Sequence, residues 1–102
     1  GAGPVEYGSS ETVSLPAETL ERYVGQYELQ PGVTITISQA GAQLSAQVTG
    51  QPSVESFASA ETEFCDRVVD ARITFQAGSD SSVTSLTLHQ AGRDMPARKL
   101  PD

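Results

Sequence analysis

The chain has 102 residues, of which 37% are hydrophobic and 19% charged, and its 13 acidic against 6 basic residues give a net charge of −7. This length suits one domain and is too short for two. The acidic balance argues against nucleic acid, whose phosphates require a basic patch, and against an anionic membrane surface. The longest apolar stretch is a few residues, so the sequence predicts no segment that spans a bilayer.

The N-terminal segment differs from the rest of the chain. Small, polar and helix-breaking residues dominate residues 1–14 without a sustained hydrophobic period. We interpret residues 1–14 as a flexible linker or tail and residues 15–102 as a single β-barrel domain. Since the chain starts at Gly1 rather than at Met, we expect a fragment or a processed product of a longer protein.

A short helix is predicted over residues 15–25. Pro16 suits a first helical position, Glu18 and Glu21 favour the early turns, and Gly25 can end the helix. Two turns are too few to be stable alone, so this helix must pack against the rest of the domain.

From residue 26 onward the hydrophobic period changes to two. In four segments apolar residues alternate with polar ones, which is typical of antiparallel strands with one buried face. These segments are 33–38, 44–49, 71–77 and 86–89. Shorter runs at 27–29, 54–57, 64–69 and 95–100 raise the total to about eight strands.

The connections between these segments indicate tight turns. The tripeptide Gln-Ala-Gly occurs at 39–41, 76–78 and 90–92, each time after a predicted strand. A Gly in the left-handed conformation of a hairpin loop has this signature. The sequence therefore predicts an all-β fold, an antiparallel meander of about eight strands curled into a small barrel and preceded by one short helix.

The sequence contains no recognisable catalytic motif. A Ser-x-x-Lys nucleophile would need a serine three residues before Lys99, the single lysine, and that position is Pro96. His89 is the single histidine, and its alternation with Leu88 places it on the polar face of a strand without a visible partner. We therefore expect no enzyme activity.

The single cysteine also lacks the surroundings of a reactive group. Glu63 and Asp66 flank Cys65, and negative charge opposes thiolate formation, so we expect a small half-buried residue. We interpret these carboxylates, with Glu61 and Asp70, as a solvated acidic edge. One Cys and one His are too few for a zinc site, and we expect no metal and no cofactor.

Several segments together resemble a known family. They are Tyr23-Val24-Gly25-Gln26-Tyr27, Pro31-Gly32, Gly50-Gln51-Pro52, Phe64, residues 69–75 and residues 88–97. In their order and spacing, from about Leu15 to Leu100, they resemble the small β domain of unknown function at the C-terminus of many serine β-lactamase-like hydrolases and peptidases. The resemblance implies a lipocalin-like barrel with an accessory role, no catalytic residues, and a periplasmic or secreted location.

Two functions remain open at this point. The first is a non-catalytic accessory domain that binds its parent hydrolase domain or a second copy of itself. The alternative is a lipocalin-like barrel that binds a small apolar ligand in a shallow pocket at one mouth. The candidate binding residues are Tyr27 and His89, which we expect to border that pocket, and Arg93 at a turn.

The predicted barrel leaves little room for a ligand. Eight strands enclose an interior that side chains just fill. We therefore expect the inward residues to occupy most of it. These include Ile35, Leu44, Val48, Ile73, Phe75 and Leu86.

Overall fold

The computed structural model describes residues 13–66 and 70–101, which form one helix and eight strands. The elements are α1 (Ala17–Glu21), β1 (Gly25–Gln30), β2 (Val33–Ala40), β3 (Gln43–Val48), β4 (Val54–Ala60), β5 (Glu63–Asp66), β6 (Ala71–Ala77), β7 (Val83–Gln90) and β8 (Arg93–Lys99). Each strand pairs with the next, and β1 also pairs with β8, so the sheet closes. The predicted all-β barrel with one short helix is confirmed.

The junction between β1 and β8 completes the barrel. Tyr27 lies opposite Lys99 and Glu28 opposite Arg98. Just beyond β8, the Leu100 N–H donates a hydrogen bond to the Gln26 carbonyl at 2.8 Å. Because closure pairs β1 with β8, each of the eight described strands has a neighbour on both sides.

The two-residue period sets the inside and the outside of the barrel. In β2, Ile35 and Ile37 are 1% and 2% exposed, whereas Ser38 is exposed on the outer face. Five of the six predicted inward residues are buried, and Val48 is partly buried against them. The residues predicted at 67–69 in the fifth strand lie outside the described residues.

Helix α1 closes one end of the barrel, which we call the helix end. It is shorter than predicted, with Pro16 at the N-cap, because the chain turns at residues 22–23 to enter β1. Leu20 is 1% exposed, and Tyr23 stacks on Phe75 with ring centroids 4.3 Å apart. Phe64 meets both rings edge-on. Within the described ranges, α1 falls short of the length and apolarity needed to cross a membrane.

The hairpin turns confirm two of the three predicted Gly positions. Gly41 and Gly92 have φ of +62° and +74°, within two-residue loops. The prediction for Gly78 is wrong, since Ser81 takes the left-handed conformation in that longer loop instead, with φ of +70°. There the Asp80 carboxylate accepts hydrogen bonds from the backbone and side chain of Ser82, which shapes the turn without Gly78.

A buried hydroxyl at the helix end provides a test of this packing. The Tyr27 hydroxyl donates to the Tyr23 carbonyl at 2.7 Å, and Tyr27 is 0% exposed. Tyr27→Phe should lower the free energy of unfolding by about 1–2 kcal/mol, because a buried carbonyl loses its partner. Urea denaturation monitored by circular dichroism measures the change.

Tyr23→Phe is the matched control. The Tyr23 hydroxyl donates to the Glu61 carbonyl at 2.5 Å, and Glu61 lies in an exposed turn where water can replace the lost donor. Tyr23→Phe should therefore lower the free energy of unfolding by less than Tyr27→Phe does. An equal or greater loss in Tyr23→Phe would contradict the assignment of Tyr27 as the buried link.

Candidate functional site: the open end of the barrel

The end of the barrel opposite α1 contains a cavity of about 470 Å³. We call this the open end. Its described lining comes from the barrel wall and from the turn between β3 and β4, and most of it is apolar. The apolar lining residues are Ile35, Ala46, Val48, Pro52, Val54, Ala71, Ile73 and Leu88. The polar ones are Gln51, Ser53, Glu55, Asp66 and Gln90.

Small inward residues explain why the cavity exists. Ala46 in β3 and Ala71 in β6 both point inward at the open end and are 8% and 7% exposed. The buried aromatic rings of Tyr23, Phe64 and Phe75 instead form one cluster with α1 at the other end. Side chains therefore fill the interior at the helix end, and the cavity lies at the mouth of the barrel, where the alternative function expects a pocket.

Asp66 places a carboxylate in the cavity wall. In β5 the side chains alternate, so Phe64 is buried inside, Cys65 faces outward, and Asp66 turns inward again beside the cavity. Asp66 lies opposite Ser56 on β4. The Ser56 hydroxyl, on a residue only 4% exposed, donates a hydrogen bond of 2.7 Å to Asp66 Oδ1. The interpretation of Asp66 as part of a solvated acidic edge is therefore wrong.

The surroundings of Asp66 oppose its ionisation. Burial raises the pKa of the Asp66 carboxyl above its usual range, and the Ser56 hydrogen bond lowers it by a smaller amount. Glu55, the other acidic residue of the described lining, is exposed. None of the described lining residues is basic, so the cavity offers negative charge in apolar surroundings.

The neighbours of Asp66 in the predicted acidic edge face the outside. Glu63 forms an ion pair with Arg72 at 3.0 Å on the outer surface, and Glu61 and Asp70 are exposed. Cys65 is half-buried as predicted, with its thiol 3.8 Å from the Ser59 hydroxyl. Among residues 13–66 and 70–101, no three His, Cys, Asp or Glu side chains are grouped to hold a metal ion.

The predicted border of the mouth pocket is wrong. Tyr27 is 0% exposed in the interior, where burial raises the pKa of its hydroxyl, and it does not line the cavity. His89 lies on the outer face of β7. The alternation of inward and outward residues thus separates Tyr27 from His89, because one points into the barrel and the other points out.

The structure instead brings His89 and Arg93 together on the outer surface. They line a depression of about 270 Å³ with Arg72 and Asp94. His89 Nδ1 lies 2.7 Å from Asp94 Oδ1, and His89 Nε2 lies 3.0 Å from Thr74 Oγ1. A carboxylate can only accept, so Nδ1 carries a proton. Thr74 and Asp94 lie on the two strands that neighbour β7, so the alternation within β7 gives no sign of either partner.

This hydroxyl–imidazole–carboxylate order also occurs in hydrolase triads. Acyl transfer additionally needs donors aimed at a developing oxyanion. Thr74 lies inside the ladder formed with Glu63 on β5 and Thr87 on β7, where strand pairing uses the backbone N–H groups, and it does not line the depression. The array satisfies the polar groups of His89, Thr74 and Asp94 on the outer face.

A second surface feature is the lack of charge on the hairpin of β2 and β3. Residues 29–54 contain no Asp, Glu, Lys, Arg or His, in a chain of net charge −7. This run of uncharged residues is visible in the sequence, but it was not among the predicted binding features. We call the outward residues of this hairpin the uncharged face. They are Thr34, Thr36, Ser38, Ser45, Gln47 and Thr49.

The burial of Asp66 predicts a pH-dependent effect of its removal. A raised folded pKa gives stability that is present below the ordinary value of 3.8 and is lost as the pH rises through the raised pKa. Asp66→Asn should therefore stabilise the fold at neutral pH, by less than about 1 kcal/mol because the group is half-exposed. The gain in stability should vanish when the pH is below 3.8, the ordinary pKa of an Asp carboxyl. Urea denaturation across this pH range measures it.

Asp80→Asn is a control of opposite sign. The hydrogen bonds from Ser82 lower the pKa of Asp80, so Asp80 contributes stability at neutral pH that is lost as the pH falls. This substitution should destabilise at neutral pH. A destabilised Asp66→Asn variant would show that the carboxylate is not penalised by burial.

Comparison with known proteins finds a similarity to part of a penicillin-binding protein. The chain is 33% identical over 76 residues to penicillin-binding protein 4* of Bacillus subtilis (strain 168). The match includes 74% of this chain but only 17% of that protein, so the chain spans about a sixth of this relative. Residues 9–99 match a family described as a domain of unknown function, DUF3471. This match includes nearly the whole chain, which therefore belongs to the DUF3471 family.

Proposed function

We propose that this domain is a non-catalytic accessory module at the C-terminus of a serine β-lactamase-like hydrolase, and that it binds protein. The partner is the parent hydrolase domain or a second copy of the same domain. The match to one part of a penicillin-binding protein supports this assignment. So does the fold, because a closed barrel with its own core can stand beside another domain without sharing that domain's core.

The uncharged face is the observation that carries the proposal. Interface cores are depleted of charged residues, because a charge must lose its water when a partner covers it. The β2–β3 hairpin contains no ionisable residue, whereas charged residues stand on both strands beside it, at Glu28 in β1 and Glu55 in β4. Hydroxyl and amide groups can instead exchange water for hydrogen bonds with a partner.

The same assignment implies a location outside the cytoplasm, in the periplasm or secreted. The relative is a bacterial penicillin-binding protein, which supports this part of the proposal. The described chain holds one free cysteine, Cys65, and its fold requires no disulfide. It is therefore compatible with an oxidising compartment.

A second candidate function is the binding of a small ligand at the open end, as in a lipocalin-like barrel. The cavity volume of about 470 Å³ favours it. Ligand sites in proteins usually measure about 300–1,000 Å³ and are mostly apolar with a few polar groups. The wall has this composition, with Asp66 as its half-buried polar group.

A charge placed on the uncharged face tests the accessory function. Thr36 lies at its centre, opposite Gln47 on β3 and Gln26 on β1. Thr36→Lys should weaken association by about tenfold or more, because the ammonium would have to lose its water when a partner covers this face. Sedimentation measures self-association. Titration of penicillin-binding protein 4* lacking its matched segment measures binding to a hydrolase of the parent type.

Thr87→Lys is the matched control, since Thr87 faces outward on β7, opposite Thr74 and Pro96. It adds the same charge away from the uncharged face and should leave association unchanged. Equal weakening in both variants would remove the uncharged face as the interface. A wild-type chain that stays monomeric and ignores the hydrolase would overturn the accessory function.

A larger side chain at Ala46 tests the second candidate. Ala46 points into the cavity and is 8% exposed. 1-Octanol should raise the melting temperature of the wild-type chain, because a ligand that binds only the folded state stabilises it. Ala46→Leu should remove most of this shift by filling the cavity.

Ala42→Leu is the control, because it adds the same volume in the exposed turn between β2 and β3 at the helix end. Its shift with octanol should equal that of the wild type. Differential scanning fluorimetry at several octanol concentrations makes the comparison. The absence of any wild-type shift would count against ligand binding in the cavity.

A further inference from the structure

We infer that the open end binds small amphiphilic molecules that carry a protonated amine, with their apolar part in the cavity and their ammonium group on the Asp66 carboxylate. This inference rests on the ligand-binding candidate described above. It adds the chemical class of the ligand and the residue that selects it.

The apolar part of the ligand follows from the cavity wall. Ile35, Val48, Ile73 and Leu88 contribute aliphatic side chains from four different strands. An alkyl or alicyclic group that enters would exchange contact with water for contact with these side chains, which stabilises the complex by roughly 25 cal/mol for each Å² of apolar surface buried. The wall thus favours an apolar body but does not distinguish one head group from another.

The head group follows from Asp66. Its carboxylate borders the apolar cavity, and one oxygen already accepts the Ser56 hydroxyl at 2.7 Å. Ser56 is 4% exposed and fixed within β4, so it holds the carboxylate in one orientation. A carboxylate that has lost part of its water gains most from a ligand that supplies both positive charge and N–H donors. A protonated amine supplies both.

The charge of the described lining disfavours an anionic head group. Asp66 and Glu55 are the acidic residues of the described lining, and no basic residue accompanies them there. A fatty acid would bring a third carboxylate to this end, and like charges repel. Selectivity therefore comes from repulsion of anions as well as attraction of cations.

The geometry also distinguishes a primary amine from a quaternary one. Hydrogen bonds to a carboxylate require N–H groups, which a trimethylammonium group lacks. Octylamine should therefore bind more tightly than octyltrimethylammonium, although both carry one positive charge. This difference separates a directed contact with Asp66 from general attraction to an acidic protein.

Calorimetric titration of the full 102-residue chain tests the inference with octylamine, octyltrimethylammonium, 1-octanol and octanoate at neutral pH. Octylamine should bind at least about tenfold more tightly than octanol, the size expected for a hydrogen bond to a charged group. Octanoate should bind most weakly. Asp66→Asn should weaken octylamine by about tenfold or more and leave octanol unchanged, because Asn keeps the shape and loses the charge.

Glu18→Gln is the charge control. Glu18 is exposed on α1, at the helix end, and its removal lowers the negative charge by the same amount. It should change octylamine binding by less than about twofold, since water and salt screen a charge this far from the cavity. Asp66→Ser provides a second variant without the carboxylate. Circular dichroism confirms that each variant is folded.

The outcomes separate the two levels of the hypothesis. If octanol and octylamine bind equally and Ala46→Leu abolishes both, the cavity binds ligands and the inference about amines is wrong. If no probe binds the wild-type chain, the ligand-binding function itself is wrong. If Glu18→Gln weakens octylamine as much as Asp66→Asn, the attraction comes from net charge and the role of Asp66 is rejected.

Discussion

The pairing of β1 with β8 is the constraint on which the rest of the structure depends. Once the sheet closes, every strand has two neighbours and every inward side chain shares one enclosed volume. Tyr27 lies at this junction, opposite Lys99, and its buried hydroxyl binds the carbonyl of Tyr23. The junction therefore also anchors the segment that brings α1 onto the end of the barrel.

Closure makes the distribution of side-chain size along the barrel axis important. The rings of Tyr23, Phe64 and Phe75 form the helix end together with α1, whereas Ala46 and Ala71 leave space at the open end. One end of the barrel thus provides the rigid core. The other end can hold a cavity, and Asp66 lines this cavity without packing against the aromatic core.

The charges of the molecule are distributed as unevenly as its volume. The hairpin of β2 and β3 carries none, although the chain has a net charge of −7. On the opposite part of the wall, Glu63 forms an ion pair with Arg72, and the carboxylate of Asp94 forms a hydrogen bond with His89. An uncharged face suits contact with protein, and a carboxylate in an apolar mouth suits a cation. The two features occupy different surfaces, so the two proposed functions do not compete for the same residues.

The sequence by itself determined the strands, most of their turns, the single helix and the inward set of residues, because a two-residue period assigns each side chain to one face of a sheet. The run of uncharged residues at 29–54 is also visible in the sequence. The two-residue period does not give the position of a residue along the barrel axis. It also does not show which outward residues become neighbours on adjacent strands. Strand register decides both. It placed Tyr27 deep inside and Asp66 beside the cavity, and it brought Thr74 and Asp94 to His89 from strands on either side.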